Sequence, residues 1–137
     1  MRFNTVKEKM LQGKHVVGSS AGLCTPLSAE TLALNGADLV MLDDQHGLWE
    51  PMAMMTAFRS IRLAGSVPMI RVGKNDFYAI GAALDRGALG IIVPMVHTVE
   101  DAKAAVFATR YPPFGGRSKG AYGCDIYGRD YANIANE

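Results

Sequence analysis

The chain has 137 residues, 49% of them hydrophobic and 20% charged, with 14 basic against 13 acidic side chains. That size and apolar content fit one globular domain with its own core, and the balanced charge leaves no basic footprint for a nucleic acid or an anionic lipid surface. No run approaches the roughly 20 consecutive apolar residues of a membrane-spanning helix, and the polar start MRFNTVKEKMLQGK lacks the apolar centre of a signal peptide. A cytoplasmic protein is expected, with Cys24 and Cys124 reduced, since they match no metal-ligand spacing.

Along the chain one punctuation recurs. A segment with helical apolar spacing ends in glycine and an apolar run starts three residues later: Gly13 before Val16, Gly36 before Leu39, Gly65 before Pro68, Gly87 before Gly90. Glycine suits the left-handed position just past a helix end, and the runs that follow are rich in Val, Ile, Leu and Met. Strands are predicted at Val16–Ser20, Leu39–Asp43, Pro68–Val72 and Gly90–Pro94. None alternates polar with apolar residues, which predicts a parallel sheet covered on both faces.

Helix starts fall between these runs at Thr25-Pro26, Trp49-Glu50-Pro51 and Asn75-Asp76, and at Thr98, with Asp101 completing a capping box. Met52, Met54, Met55 and Phe58 have the spacing of packing residues on the second of these helices. After Arg110 comes the glycine- and proline-rich YPPFGGRSKGAYG, read as a solvated or subunit-contact loop, and then a polar segment from Tyr127 to Glu137, read as helix. The alternation of strands and helices is the α/β class. Four such units make half of a (β/α)8 barrel, whereas a full one takes about 250 residues, so the sequence is either a small open sheet or an incomplete barrel.

In both of those architectures ligands bind at the carboxyl ends of the strands. The polar residues there are Ser19 and Ser20, then Asp43-Asp44-Gln45-His46, then Arg71, then His97. An Asp43 carboxylate three residues before His46 can orient the imidazole as a general base, while Arg71 offers a fork of donors to a carboxylate or an enolate oxygen. The plainer alternatives are that Asp43 caps the following turn, that His46 is a loop histidine and that Arg71 makes a local ion pair. His97 reads as a helix-entry residue.

These same residues carry a family resemblance. LVMLDDQHG resembles the strand motif of the HpcH/HpaI aldolases, metal-dependent class II pyruvate aldolases that act on 2-keto-3-deoxy sugar acids or 2,4-dihydroxyhept-2-enedioate. PMIRVGKND, AALDRGALGIIVPMVHTVEDAKAAV and ATRYPPFGGRSKG follow in the family's order. The resemblance covers nearly the whole chain and implies the N-terminal half of an aldolase-type (β/α)8 barrel, residues 1–137 forming one domain. It also implies a hexameric homo-oligomer and a divalent Mg²⁺, Mn²⁺ or Co²⁺ ion that chelates pyruvate. The implied reaction is reversible aldol cleavage of a 2-keto-4-hydroxy acid to pyruvate and an aldehyde, through a metal-stabilised enolate.

By the same resemblance His46 matches the catalytic histidine, Asp43 its carboxylate partner and Arg71 the arginine that holds the pyruvate oxygen. Asp85 matches an aspartate near the subunit contact, in a supporting role. Gln45 departs from the family's usual glutamate and removes a negative charge. The family's metal-ligand Glu and Asp belong to later strands, so no metal ligand is assigned in this chain. A half-barrel with two open edges is then expected to be a fragment of a longer product or a subunit that associates. The alternative function is a non-catalytic half-barrel that serves oligomerisation or interaction, or an inactive fragment.

Overall fold

The computed structural model describes residues 4–120 and 136. Its elements in chain order are α1 (Thr5–Leu11), β1 (Gly18–Ala21), α2 (Pro26–Leu34), β2 (Leu39–Asp43), α3 (Pro51–Leu63), β3 (Val67–Arg71), α4 (Phe77–Arg86), β4 (Gly90–Ile92) and α5 (Val99–Thr109). The predicted helix starts are all used. Thr25 accepts the Ser28 N–H, Asp76 the Ala79 N–H, and Thr98 and Asp101 form the reciprocal capping box, each satisfying amide groups that an open helix end leaves unpaired. α3 opens on Pro51 without a side-chain cap. Gly13, Gly36, Gly65 and Gly87 all take positive φ, from +67° to +120°, and turn the chain into the next element.

The strands form one parallel sheet in the order β1-β2-β3-β4. Asp43 pairs with Arg71, and Met41 lies between Ser20 and Met69. α1 lies across the amino end of this sheet: Asn4 Nδ2 donates to the Leu89 carbonyl at 3.1 Å, just before β4, and Lys9 pairs with Asp38, just before β2.

The first strand begins later than its apolar residues suggest. Val17 gives its N–H to the Asp38 carboxylate and its carbonyl to the Asp38 N–H, so regular pairing starts at Gly18. Ser20 consequently sits beside Met41, a layer below Asp43, and Ser19 belongs to the opposite face.

Coverage of both faces is also corrected. Val40, Leu42, Pro68 and Ile70 are fully buried beneath α2, α3 and α4, where Met54, Phe58, Ile61 and Ile80 complete the core. Each large side chain buried this way contributes about 1.5–3 kcal/mol. The alternate residues Leu39, Met41 and Met69 are only half-buried, and Gly18, Ser20 and Ile92 are exposed. Among the described residues the helices cover one face, and the second face is open although its strand residues are largely apolar. Met52 also departs from expectation, standing 68% exposed on the outer side of α3. The segment read as helix from Tyr127 to Glu137, and Cys124, lie outside the described residues apart from Asn136.

Candidate active site

β2 and β3 end side by side on Asp43 and Arg71. The guanidinium grips the carboxylate with two parallel bonds, Arg71 Nε to Asp43 Oδ1 at 3.0 Å and Nη2 to Oδ2 at 2.5 Å. Asp43 Oδ1 also accepts the backbone N–H groups of Gln45 at 3.1 Å and His46 at 3.3 Å. Three of these four donors fall on Oδ1 and one on Oδ2. The Arg71 bond is the main reason the Asp43 carboxyl titrates at about 2; burial works against it, and the two backbone bonds work with it. The same contact pushes the guanidinium of Arg71 up from its ordinary value.

This geometry brings Asp43, Arg71 and the backbone of His46 together, and it changes one expected role. The carboxylate orients the turn that carries His46, not the imidazole. The His46 side chain is exposed, and among the described residues it makes no hydrogen bond. The reason is competition: a charge-assisted fork from the neighbouring strand is a stronger donor pair than an imidazole N–H, and the backbone N–H of His46 already occupies Oδ1. Both plainer readings therefore hold, since Asp43 caps the turn and Arg71 is ion-paired. Arg71 uses only two of its five N–H donors on Asp43, and its side chain is 32% exposed.

Other residues brace this turn. The Leu48 N–H donates to Cys24 Sγ at 3.2 Å, which ties the β1–α2 loop to the β2–α3 loop. Gly47 has no room for a side chain, because a Cβ would meet the Asp43 carbonyl oxygen at 2.0 Å and Cys24 Sγ at 3.2 Å. Nothing in the spacing of the sequence pointed to Cys24. The Asp44 N–H continues the ladder to the Arg71 carbonyl at 2.9 Å, and burial pushes the Asp44 carboxyl up, partly offset by the charge of Arg86. His97 is exposed and gives its N–H to Asp101, as a helix-entry residue does. Gln45 is half-buried, and its backbone rather than its amide joins the network.

Asp85 belongs to a different cluster. It pairs with Arg117 at 2.8 Å beside a cleft of about 290 Å³ between α3, α4 and Ser118. Arg117 is almost fully buried and lies 4.6 Å over the ring of Tyr111. The loop read as solvated or subunit-contact is therefore anchored through Tyr111, Gly115 and Arg117. Gly116 gives its N–H to the Phe107 carbonyl and Arg117 to that of Arg110, and a Cβ on Gly115 would meet those two carbonyl oxygens at 2.3–2.5 Å. Pro112, Pro113, Phe114, Ser118 and Lys119 are exposed there, while Tyr111, Gly115 and Arg117 are buried.

Among the described residues no three His, Cys, Asp or Glu side chains converge as a metal site. Asp43, the best-placed carboxylate, is committed to Arg71 and two amides, so the rim residues do not fit as a ligand set for a hard divalent cation, which wants several oxygen ligands. No described helix is long and apolar enough to cross a membrane.

Four βα units with a carboxylate–guanidinium pair at the strand ends define this as half of an aldolase-type (β/α)8 barrel. The chain belongs to the HpcH/HpaI aldolase/citrate lyase family, whose pattern matches residues 21–134. It is 38% identical over 118 residues to the 4-hydroxy-2-oxo-heptane-1,7-dioate aldolase of Klebsiella pneumoniae subsp. pneumoniae, a match that covers 86% of this chain and 44% of that protein. Its structure superposes on an HpcH/HpaI aldolase/citrate lyase family protein from Burkholderia cenocepacia J2315 with a TM-score of 0.86 at 29% identity, over 98% of this chain and 56% of the other. Macrophomate synthase is similar with a TM-score of 0.77 at 30% identity, over 86% and 41% of the two chains. The chain spans about half the length of the relatives it matches.

Proposed function

We propose that this chain, a single half-barrel domain, carries the keto-acid end of a carbon–carbon lyase site of the pyruvate aldolase type. The substrate class is a 2-keto-4-hydroxy acid, cleaved reversibly to pyruvate and an aldehyde. In cleavage the C4 hydroxyl loses its proton, the C3–C4 electron pair passes into an enolate, and protonation at C3 releases pyruvate. Arg71 binds the carboxylate or developing enolate oxygen with the outer edge of its fork, while Asp43 fixes the inner edge so that the fork is aimed before substrate arrives. His46, exposed on a turn pinned to the same carboxylate, moves the proton. Asp85 supports the helix layer rather than the reacting atoms. A divalent Mg²⁺, Mn²⁺ or Co²⁺ ion belongs to the family reading, and these residues do not hold it. The cytosol and a homo-oligomeric assembly are part of the proposal.

The observation that carries this reading is the Asp43–Arg71 fork between adjacent strand ends, with the His46 turn tied to it. Exchange of the pyruvate methyl protons in deuterated water, followed by NMR with added Mg²⁺ or Mn²⁺, tests it. Exchange above the protein-free blank is expected, with a loss of about a hundredfold in Arg71→Ala, the size of effect when one oxyanion donor is removed. Equal rates for the two proteins remove Arg71 from the mechanism. No exchange at all overturns catalysis by this chain and favours the second reading, a non-catalytic association module, for which the half-open sheet face speaks.

A further inference from the structure

The cleft beside Asp85 lies in the helix layer, and none of Asp43, His46 or Arg71 lines it. Its floor and ends come from α4, where Phe77, Tyr78, Gly81, Ala82, Asp85 and Arg86 recur at intervals of four and so form two adjacent rows on one face of the helix. Met55 of α3 and Arg117 and Ser118 of the loop after α5 complete the walls of this space of about 290 Å³. A cavity of roughly 150 Å³ takes one benzene, so there is room here for a single ring with a substituent.

Packing accounts for neither Gly81 nor Arg86. Glycine weakens a helix interior, yet a Cβ on Gly81 would meet nothing within 4 Å, so no neighbour requires the missing side chain and its absence keeps the floor of the cleft open. Arg86 is half-buried and makes no hydrogen bond or ion pair among the described residues, which leaves its five N–H donors uncommitted. Its charge suits the carbonyl end of α4, but that role does not call for a place in a cleft. Asp85 is already paired with Arg117, so the lining carries one uncompensated positive charge. At the opposite end stand two aromatic side chains, Tyr78 at 76% and Phe77 at 50% exposure, the second steadied by the ring of Phe107 at 6.2 Å.

We propose that this cleft binds a small aromatic anion, a single flat ring bearing one carboxylate or phosphate group. Gly81 and Ala82 lie one helical turn, about 6 Å, from the aromatic pair on one side and from Asp85 and Arg86 on the other. A ring laid on that floor therefore meets Phe77 and Tyr78 at one end and the pliant side chain of Met55 across it, while a negative group on its far side reaches the guanidinium of Arg86 and the hydroxyl of Ser118. An aliphatic anion leaves the aromatic wall unused, and a neutral ring leaves the guanidinium unpaired. An ion of several charges meets the carboxylate of Asp85. The guanidinium fork accepts a carboxylate or a phosphate in the same bidentate manner, so the ring and the single anionic group are the chemistry that the cleft selects.

Calorimetric titration of the protein with benzoate and with phenyl phosphate tests the proposal. Saturable binding of at least one is expected, and the tighter of the two assigns the anionic group. Acetate, which lacks the ring, and benzyl alcohol, which lacks the charge, are each expected to bind about tenfold more weakly or not at all. Arg86→Gln should weaken the aryl anion about tenfold, the size of one charge-assisted hydrogen bond. Gly81→Leu fills the floor and should abolish binding, while its thermal melt falls at or above that of the wild type, because leucine favours a helix and its Cβ meets nothing. Lys14→Gln removes an exposed cation outside the cleft and leaves binding unchanged. No saturable binding of either aryl anion overturns the proposal, and so does binding that Arg86→Gln or Gly81→Leu leaves intact. Binding lost in Arg71→Ala instead puts the anion at the rim and overturns it too. Pyruvate proton exchange reads the rim and not this cleft, so failure here leaves the aldol reading standing.

Discussion

Two carboxylate–guanidinium pairs in this molecule use the same chemistry for different ends. Asp43–Arg71 joins adjacent strand ends at the rim, with the Arg71 side chain 32% exposed and part of its fork unspent. Asp85–Arg117 joins α4 to the loop after α5, with the Arg117 side chain 2% exposed and laid over Tyr111. A pair of the first kind is screened by water and contributes little to folding, but it holds a donor ready for an anion. In the second pair the guanidinium is desolvated and depends on its carboxylate partner, although Asp85 itself is 29% exposed. Burial, more than residue type, separates a pair available for binding from one that holds the fold.

Removing the buried partner should have the largest effect. Arg117→Ala leaves the Asp85 carboxylate unpaired and uncovers Tyr111, and is expected to cost about 3 kcal/mol in urea unfolding, as for breaking a buried pair. A loss as small as that of Arg71→Ala would erase the distinction between the two pairs. Next comes Gly47→Ala, which drives a Cβ onto the Asp43 carbonyl and must open the turn that hands its amides to the carboxylate. About 2 kcal/mol is expected from overpacking of this kind, with loss of proton exchange in proportion.

The rim pair also has an acid signature. The Asp43 carboxyl sits at about 2 in the folded chain against an ordinary 3.8, so the stability it contributes is complete above the ordinary value and is lost as pH falls toward 2. The difference in stability between wild type and Asp43→Asn should therefore be constant at neutral pH and shrink through that acid window. Asp44 works in the opposite sense, because burial raises its carboxyl and favours the protonated form; the comparison with Asp43→Asn cancels its contribution. The smallest expected effect is on stability in Arg71→Lys: a nearly unchanged urea midpoint beside weakened pyruvate binding, since an ammonium cannot grip Asp43 and a ligand with one rigid fork. A shift matching that of Arg117→Ala would move the rim pair into the structural class.

Much of the scaffold was readable in the chain because its signals are local. A glycine past a helix end, a threonine with an aspartate three residues on, a run of apolar residues ending in Asp43: each acts through neighbours a few residues away, and each was found where expected. The positions of Asp43, His46 and Arg71 at strand ends followed from the same reading. The bracing by Cys24 was invisible, since its partner Leu48 lies 24 residues further on, in another loop.

What the chain order left open was which donor takes which acceptor. Asp43 stands three residues from His46 and 28 from Arg71, yet the guanidinium wins the carboxylate because parallel register sets those two residues side by side. The burial of Arg117 and the one-sided covering of the sheet are likewise consequences of packing between distant segments. Backbone propensity and capping are written residue by residue; electrostatic partnership and exposure are properties of neighbours in space, and they exist only once the strands have aligned.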